Sequence, residues 1–158
     1  MIFITVGTQL PFDRLIQSLD DYFTGLDDAV FAQVGPSDIK LKNIPFADFV
    51  SPSKADELFQ EASLIIAHAG MGSILTALKY KKPILVVPRK ASLGEHRNEH
   101  QMATAEWVKK LPGVIVADDE KVAVEFLKKR SELINGHSIP EFAEERLLQF
   151  VTDYIQKN

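Results

Sequence analysis

The chain has 158 residues, of which 46% are hydrophobic and 25% charged, and a formal net charge of −4 at pH 7. Those values describe one soluble globular domain, and the lack of a Lys/Arg-rich stripe argues against a nucleic-acid or anionic-membrane footprint. With no cysteine in the chain, disulfides, thiolate catalysis and Cys-ligated zinc are excluded.

The opening MIFITVGTQL is apolar, without a basic leader or a cleavage-like site, so it reads as a strand running into Gly7 and not as a signal peptide. No run approaches the ~20 apolar residues of a membrane span, and a cytoplasmic protein is expected. Pro11 can open a helix in which Phe12, Leu15, Ile16 and Leu19 recur at helical spacing. Residues 29–35 (AVFAQVG) form a second expected strand, and 44–50 (IPFADFV) a shorter one. SPSKADELFQEA then reads as a helix with Ser51 as its cap.

The middle is the clearest part. SLIIAHAG is a buried strand ending at Gly70, MGSILTALKYKK a helix, and PILVVP a strand bounded by Pro83 and Pro88. The polar loop RKASLGEHRN leads into the helix EHQMATAEWVKKL. GVIVA is another strand, and DDEKVAVEFLKKRSELI a single helix with acids at its N-terminus, where the helix dipole favours them. His137, in NGHS, is a turn residue. A final amphipathic helix over about 140–157 has an apolar stripe for core packing or for docking a partner.

Strands and helices alternate from end to end. The expected fold is therefore α/β, a doubly wound parallel sheet, with residues 1–158 as one domain. In such sheets ligands bind outside the carboxyl ends of the strands. The stretches expected there are GTQLP, GPSD, HAGMGS and the loop containing GEHRNEHQ, and they hold His68, His96 and His100. Gly70 and Gly72 follow a strand and open a helix, so a backbone free of side chains and the first helical N–H groups can meet an anion such as phosphate. This is neither a full dinucleotide fingerprint, since Leu75 occupies the third glycine position, nor a P-loop. His68, at the strand end beside the glycine pair, is a site candidate.

His96, Glu99 and His100 spell the inverted zinc-peptidase spacing H-x-x-E-H. A zinc site needs both imidazoles on one continuous helix and a third ligand. The pair instead lies at a loop-to-helix start after Gly94, with only surface acids such as Glu106 or Glu120 to complete it. No metal site is expected. The residues Arg89, Glu95, His96, Arg97, Asn98, His100 and Gln101 suit sugar hydroxyls and phosphate oxygens better.

The ordered combination of FITVGT with FDRLI, then HAGMGSILTALKYKKPILVVPR, then GEHRNEHQMATA resembles the C-terminal, nucleotide-sugar-binding half of family 28 glycosyltransferases. Within that group it is similar to the short subunits of two-component transferases. These are the PssE/EpsE-like subunits of bacterial exopolysaccharide and capsule synthesis, and the eukaryotic dolichol-linked N-acetylglucosaminyltransferase subunit.

The resemblance implies one Rossmann-like half of a GT-B glycosyltransferase. It implies inverting transfer from a UDP-sugar to a polyprenyl-diphosphate-linked acceptor, with no cofactor and no bound metal. A membrane-associated, acceptor-binding partner subunit would recruit the chain to the cytoplasmic face of the membrane and supply the catalytic base. By position, Gly7 and Thr8 open the first loop beside the diphosphate, and Gly70, Met71, Gly72 and Ser73 receive it. Arg89 or Arg97 would stabilise the leaving group. His100 and Gln101 would meet the sugar hydroxyls, with Glu95, His96 and Asn98 nearby. Where full-length members hold the ribose with a Glu, this chain has Thr76, and Glu95 is the candidate substitute. The alternative is a non-catalytic nucleotide-sugar-binding or regulatory module.

Overall fold

The computed structural model describes residues 1–136 and, beyond them, positions 145, 149, 152, 153 and 156. His137 and, apart from those five positions, the expected final helix lie outside the described residues. The strands are β1 (Ile2–Thr5), β2 (Val30–Gln33), β3 (Phe46–Ala47), β4 (Leu64–His68), β5 (Ile84–Val87) and β6 (Val114–Val116). The helices are α1 (Asp13–Tyr22), α2 (Pro52–Glu61), α3 (Met71–Lys79), α4 (His100–Val108), α5 (Glu120–Lys128) and α6 (Arg130–Gly136).

The strands form one sheet in the order β3-β2-β1-β4-β5-β6, with every pairing parallel. The α/β, doubly wound expectation holds. β1, β4 and β5 are covered on both faces, which is why they read as continuous apolar runs. Alternate residues serve opposite layers. Ile2, Ile4 and Val6 pack with Leu15, Ile16 and Leu19 of α1 and with Ala123 and Leu127 of α5. Phe3, Ile65 and Ala67 pack with Phe59 of α2, Ile74 and Ala77 of α3, and Val108 of α4. Each large aliphatic fully buried this way contributes roughly 1.5–3 kcal/mol.

Local chemistry explains the joints. The Ser51 hydroxyl caps α2 by accepting the Lys54 N–H at 3.2 Å, as expected. Asp20 is almost fully buried, and its carboxylate accepts the N–H groups of Lys42, Asn43 and Ile44, each at 2.9 Å. That fixes the approach to β3. α3 ends in a Schellman turn, with Lys81 N–H on the Leu78 carbonyl and Lys82 N–H on that of Ala77. Lys81, at φ 55°, occupies the left-handed position that such turns usually give to glycine.

The helix expected over 118–134 is two helices, divided at Lys129. Arg130, just past the break, reaches across to the Asp28 carboxylate at 2.8 and 2.9 Å and to the Tyr22 hydroxyl at 3.0 Å. These long-range bonds set the direction of α6, which local periodicity does not show. A 3-10 turn over Ala91–Leu93, also unforeseen, lies in the loop after β5. Among the described residues, no helix is long and apolar enough to cross a membrane.

Candidate functional site

From β1 the chain passes to β2 on one side of the sheet, while β4 pairs on the other side. The strand order reverses there, which leaves a crevice between the loops at the carboxyl ends of β1 and β4. A cavity of about 290 Å³ occupies that place. The first loop supplies Gly7, Thr8, Gln9 and Leu10, the β4–α3 turn supplies His68, Gly70, Gly72 and Ser73, and Arg89, His96 and Gln101 come from beyond β5.

The geometry around His68 fixes its protonation. The Arg89 backbone N–H donates to Gln101 Oε1 at 2.9 Å, which orients the amide. Gln101 Nε2 must then face His68 Nδ1, 2.9 Å away, and Arg89 Nη1 lies 3.0 Å from the same atom. Both neighbours can only donate, so Nδ1 accepts and the ring proton sits on Nε2. Burial, followed by the Arg89 cation and His96, pushes the imidazole down to about 3.

Two glycines expose that proton. A Cβ on Gly70 would stand 2.6 Å from His68 Nε2, and one on Gly7 2.9 Å from it. Neither position tolerates a side chain without displacing the ring. Gly72 differs, because a Cβ there would meet no protein atom within 4 Å. Gly70 is the N-cap of α3 and offers no side-chain acceptor, so the first N–H groups of the helix are left to a ligand.

Arg89 is only 3% exposed. Its Nη2 donates to the Val6 carbonyl at 2.8 Å and to the Leu10 carbonyl. Its guanidinium lies 5.3 Å from the Phe12 ring centroid, and burial lowers its pKa to about 10. Its Nε is buried without a hydrogen-bond partner. Arg89, expected at the leaving group, lines the cavity, and its Nη1 and Nη2 groups bond His68 and the first loop. Arg97, the other candidate, is exposed in the loop before α4 and does not line the cavity.

Gln101 is likewise 5% exposed, with its carbonyl and one N–H committed to Arg89 and His68. It braces the pocket floor before it can serve any sugar. Met71 packs on the core beneath α3 and does not line the pocket. Asn98 caps the start of α4 through Oδ1, which accepts the His100 N–H at 2.9 Å, and the His100 side chain is exposed. His96 precedes α4 and His100 is its first residue, so the two do not share a continuous helix. Among the described residues, no group of three or more His, Cys, Asp or Glu side chains gathers as metal ligands would.

Glu95, the candidate substitute at the ribose, is bonded to Arg14 and does not line the cavity. Its carboxylate takes the Arg14 Nε at 3.0 Å and the Arg14 Nη2 at 2.9 Å. Thr76 donates its hydroxyl to the Gly72 carbonyl at 2.7 Å. Gln9 and Leu10 also line the cavity, and Arg14 engages Glu95, though none of the three is among the expected site residues. The first two belong to the rim stretch GTQLP and could have been chosen with Gly7. Arg14 carries no local signal.

Comparison with known proteins gives this geometry a family. A Caenorhabditis elegans protein named as a putative UDP-glucuronosyltransferase, ugt-50, is 27% identical over 99% of this chain and 33% of its own length. The chain thus spans about a third of that curated relative. Among solved structures, the glycosyltransferase of kitacinnamycin superposes with a TM-score of 0.63 at 22% identity, covering 94% of this chain and 37% of that one. The glycosyltransferase VinC, solved with dTDP, superposes with a TM-score of 0.56 at 18% identity, covering 94% and 36%. At those identities the likeness is one of fold, that of one half of a GT-B glycosyltransferase. Residues 1–138 match the glycosyltransferase family 28 C-terminal domain, and with a match over most of its length the chain belongs to that family.

Proposed function

We propose that the chain is the donor-binding, catalytic subunit of an inverting glycosyltransferase. It moves a sugar from a UDP-sugar to a polyprenyl-diphosphate-linked acceptor in exopolysaccharide or capsule synthesis. It folds as a single domain and works with a membrane-associated, acceptor-binding partner that brings it to the cytoplasmic face of the membrane. The observation that carries the reading is the pairing of the His68 Nε2–H with the uncapped start of α3 across one glycine-lined cavity. The name of ugt-50 and the dTDP bound to VinC lend support to a nucleoside diphosphate donor.

In the reaction, an acceptor hydroxyl oxygen attacks C1 of the sugar from the face opposite the diphosphate. The C1–O bond breaks, and its electron pair leaves with the nucleoside diphosphate. Negative charge grows on the leaving oxygen. The N–H groups at the start of α3 and the His68 Nε2–H are positioned to stabilise it, and they need no rearrangement to do so. The buried Arg89 cation adds its field from below.

The attacking hydroxyl must also lose a proton. No carboxylate lines the cavity among the described residues, and His68, held near 3 with Nδ1 occupied, is a poor base at neutral pH. The base in this proposal sits on the partner subunit, and His96, the other imidazole that lines the cavity, is the alternative on this chain.

Isothermal calorimetry against UDP, dTDP and a panel of their sugars tests donor binding, and transfer assays with the co-expressed partner test catalysis. Micromolar binding with transfer only in the pair supports the proposal. Binding without transfer in any pairing favours a non-catalytic nucleotide-sugar module. Failure to bind every nucleoside diphosphate would refute both.

A further inference from the structure

We propose that Arg14 is a positioning residue that clamps the loop after β5 against the first loop and so sets the width of the cavity. The inference rests on the donor-site reading only for what the clamp is for.

The loop between Arg89 and α4 is held internally by short-range bonds. The N–H groups of Leu93 and Glu95 both reach the Lys90 carbonyl, and that of Gly94 reaches Ala91. These shape the loop, and the buried Arg89 and Gln101 pin its two ends. Between those ends the Glu95 carboxylate ties the loop to the protein, through a fork of charge-assisted bonds to an arginine 81 residues earlier.

The three partners are well shielded. Arg14, Glu95 and Glu120 have side chains 22%, 11% and 18% exposed, so their attraction is screened less than that of a surface pair. Glu120, at the start of α5, takes the Arg14 Nη1, and the guanidinium lies 5.3 Å from the Phe12 ring centroid. The arginine is thus anchored to the body of the protein by one arm and grips the loop with the other.

The neighbours of the pair give it leverage. Glu95 faces a hollow shared with Pro11, Arg14 and Leu93. His96, the next residue, faces the main cavity, as does Leu10, the residue before Pro11. The Arg14–Glu95 fork therefore ties the segment that carries His96 to α1, which follows directly on the first loop and its Leu10. Neither residue touches the reacting atoms, so the effect passes through His96 and the first loop.

Hydrogen exchange of the 90–98 segment in the full chain tests the clamp, using Arg14→Gln, Glu95→Gln, the double variant and Glu120→Gln. Arg14→Gln and Glu95→Gln should each speed exchange about tenfold, the change expected on losing a shielded bidentate pair. The double variant should add little to either, because both remove the same contact. Glu120→Gln weakens the anchor but leaves the fork to Glu95 in place, so it should speed loop exchange by less than Arg14→Gln or Glu95→Gln does. UDP affinity should fall with loop exchange and not with melting temperature. Unchanged exchange in Arg14→Gln and Glu95→Gln, or an equal effect of Glu120→Gln, overturns the clamp. If the unaltered chain does not bind UDP, the donor reading fails, and loop exchange still judges the clamp.

Discussion

His68 offers the sharpest test of the site, because its proton can be counted. The folded protein holds the imidazole neutral, with a pKa near 3 in place of the ordinary 6.5. The unfolded chain takes up a proton as pH falls through 6.5, while the native state does so only near 3. Between those values the unfolded state binds the extra proton, so stability is complete above about pH 6.5 and falls as pH drops. Two units below 6.5 the loss from this residue is about 3 kcal/mol. Urea unfolding at pH 7.5, 6 and 4.5 measures it, with His68→Asn as the comparison. Asparagine Oδ1 can take the place of Nδ1 and accept from Arg89 and Gln101 without titrating. The unaltered chain should lose about 3 kcal/mol more than His68→Asn over that interval, and imidazole nitrogen shifts should show the proton on Nε2. Parallel pH profiles for the two proteins, or a His68 titration near 6.5, would refute the reasoning.

Gly72→Ala should leave urea stability unchanged or slightly raised, since its methyl meets no protein atom, yet weaken nucleotide binding by calorimetry at least tenfold. Gly70→Ala should destabilise by about 2 kcal/mol or more in the same unfolding assay, because its Cβ would drive into the buried His68 ring. Gln101→Leu strips the buried Arg89 N–H of its acceptor and should cost about 2–3 kcal/mol in urea unfolding. Lys81→Gly should gain about 1 kcal/mol, read as a higher melting temperature, by relieving the left-handed strain at the end of α3.

The sheet was legible in the sequence wherever burial on both faces forces an unbroken apolar run, as in β4 and β5. The glycine-bearing turn after His68 was legible because a strand running into Gly-x-Gly and then a helix is a local signal. The internal bonds were not. Arg89 and Gln101 look like surface polar residues in the string RKASLGEHRNEHQ, and only the fold reveals that both are buried and bonded to each other. Arg14 is one more charge on an amphipathic helix until α5 and the loop after β5 close on it. The break at Lys129 is invisible for the same reason, since the residues that turn α6 aside, Asp28 and Tyr22, stand 102 and 108 positions away. Short-range pattern predicted the scaffold, while charge pairing across the fold decided how the site is furnished.

The buried Arg89 has a consequence for how the protein is made. The loop after β1 leaves the ribosome early, but the guanidinium that holds its Val6 and Leu10 carbonyls belongs to β5's far end. β1 also needs β4 beside it before that arginine can reach across. The first loop therefore cannot make these bonds until roughly ninety residues of chain are out. A split between α2 and β4 should yield fragments that recover nucleotide binding only when recombined, because each half carries one side of a hydrogen-bonded seam.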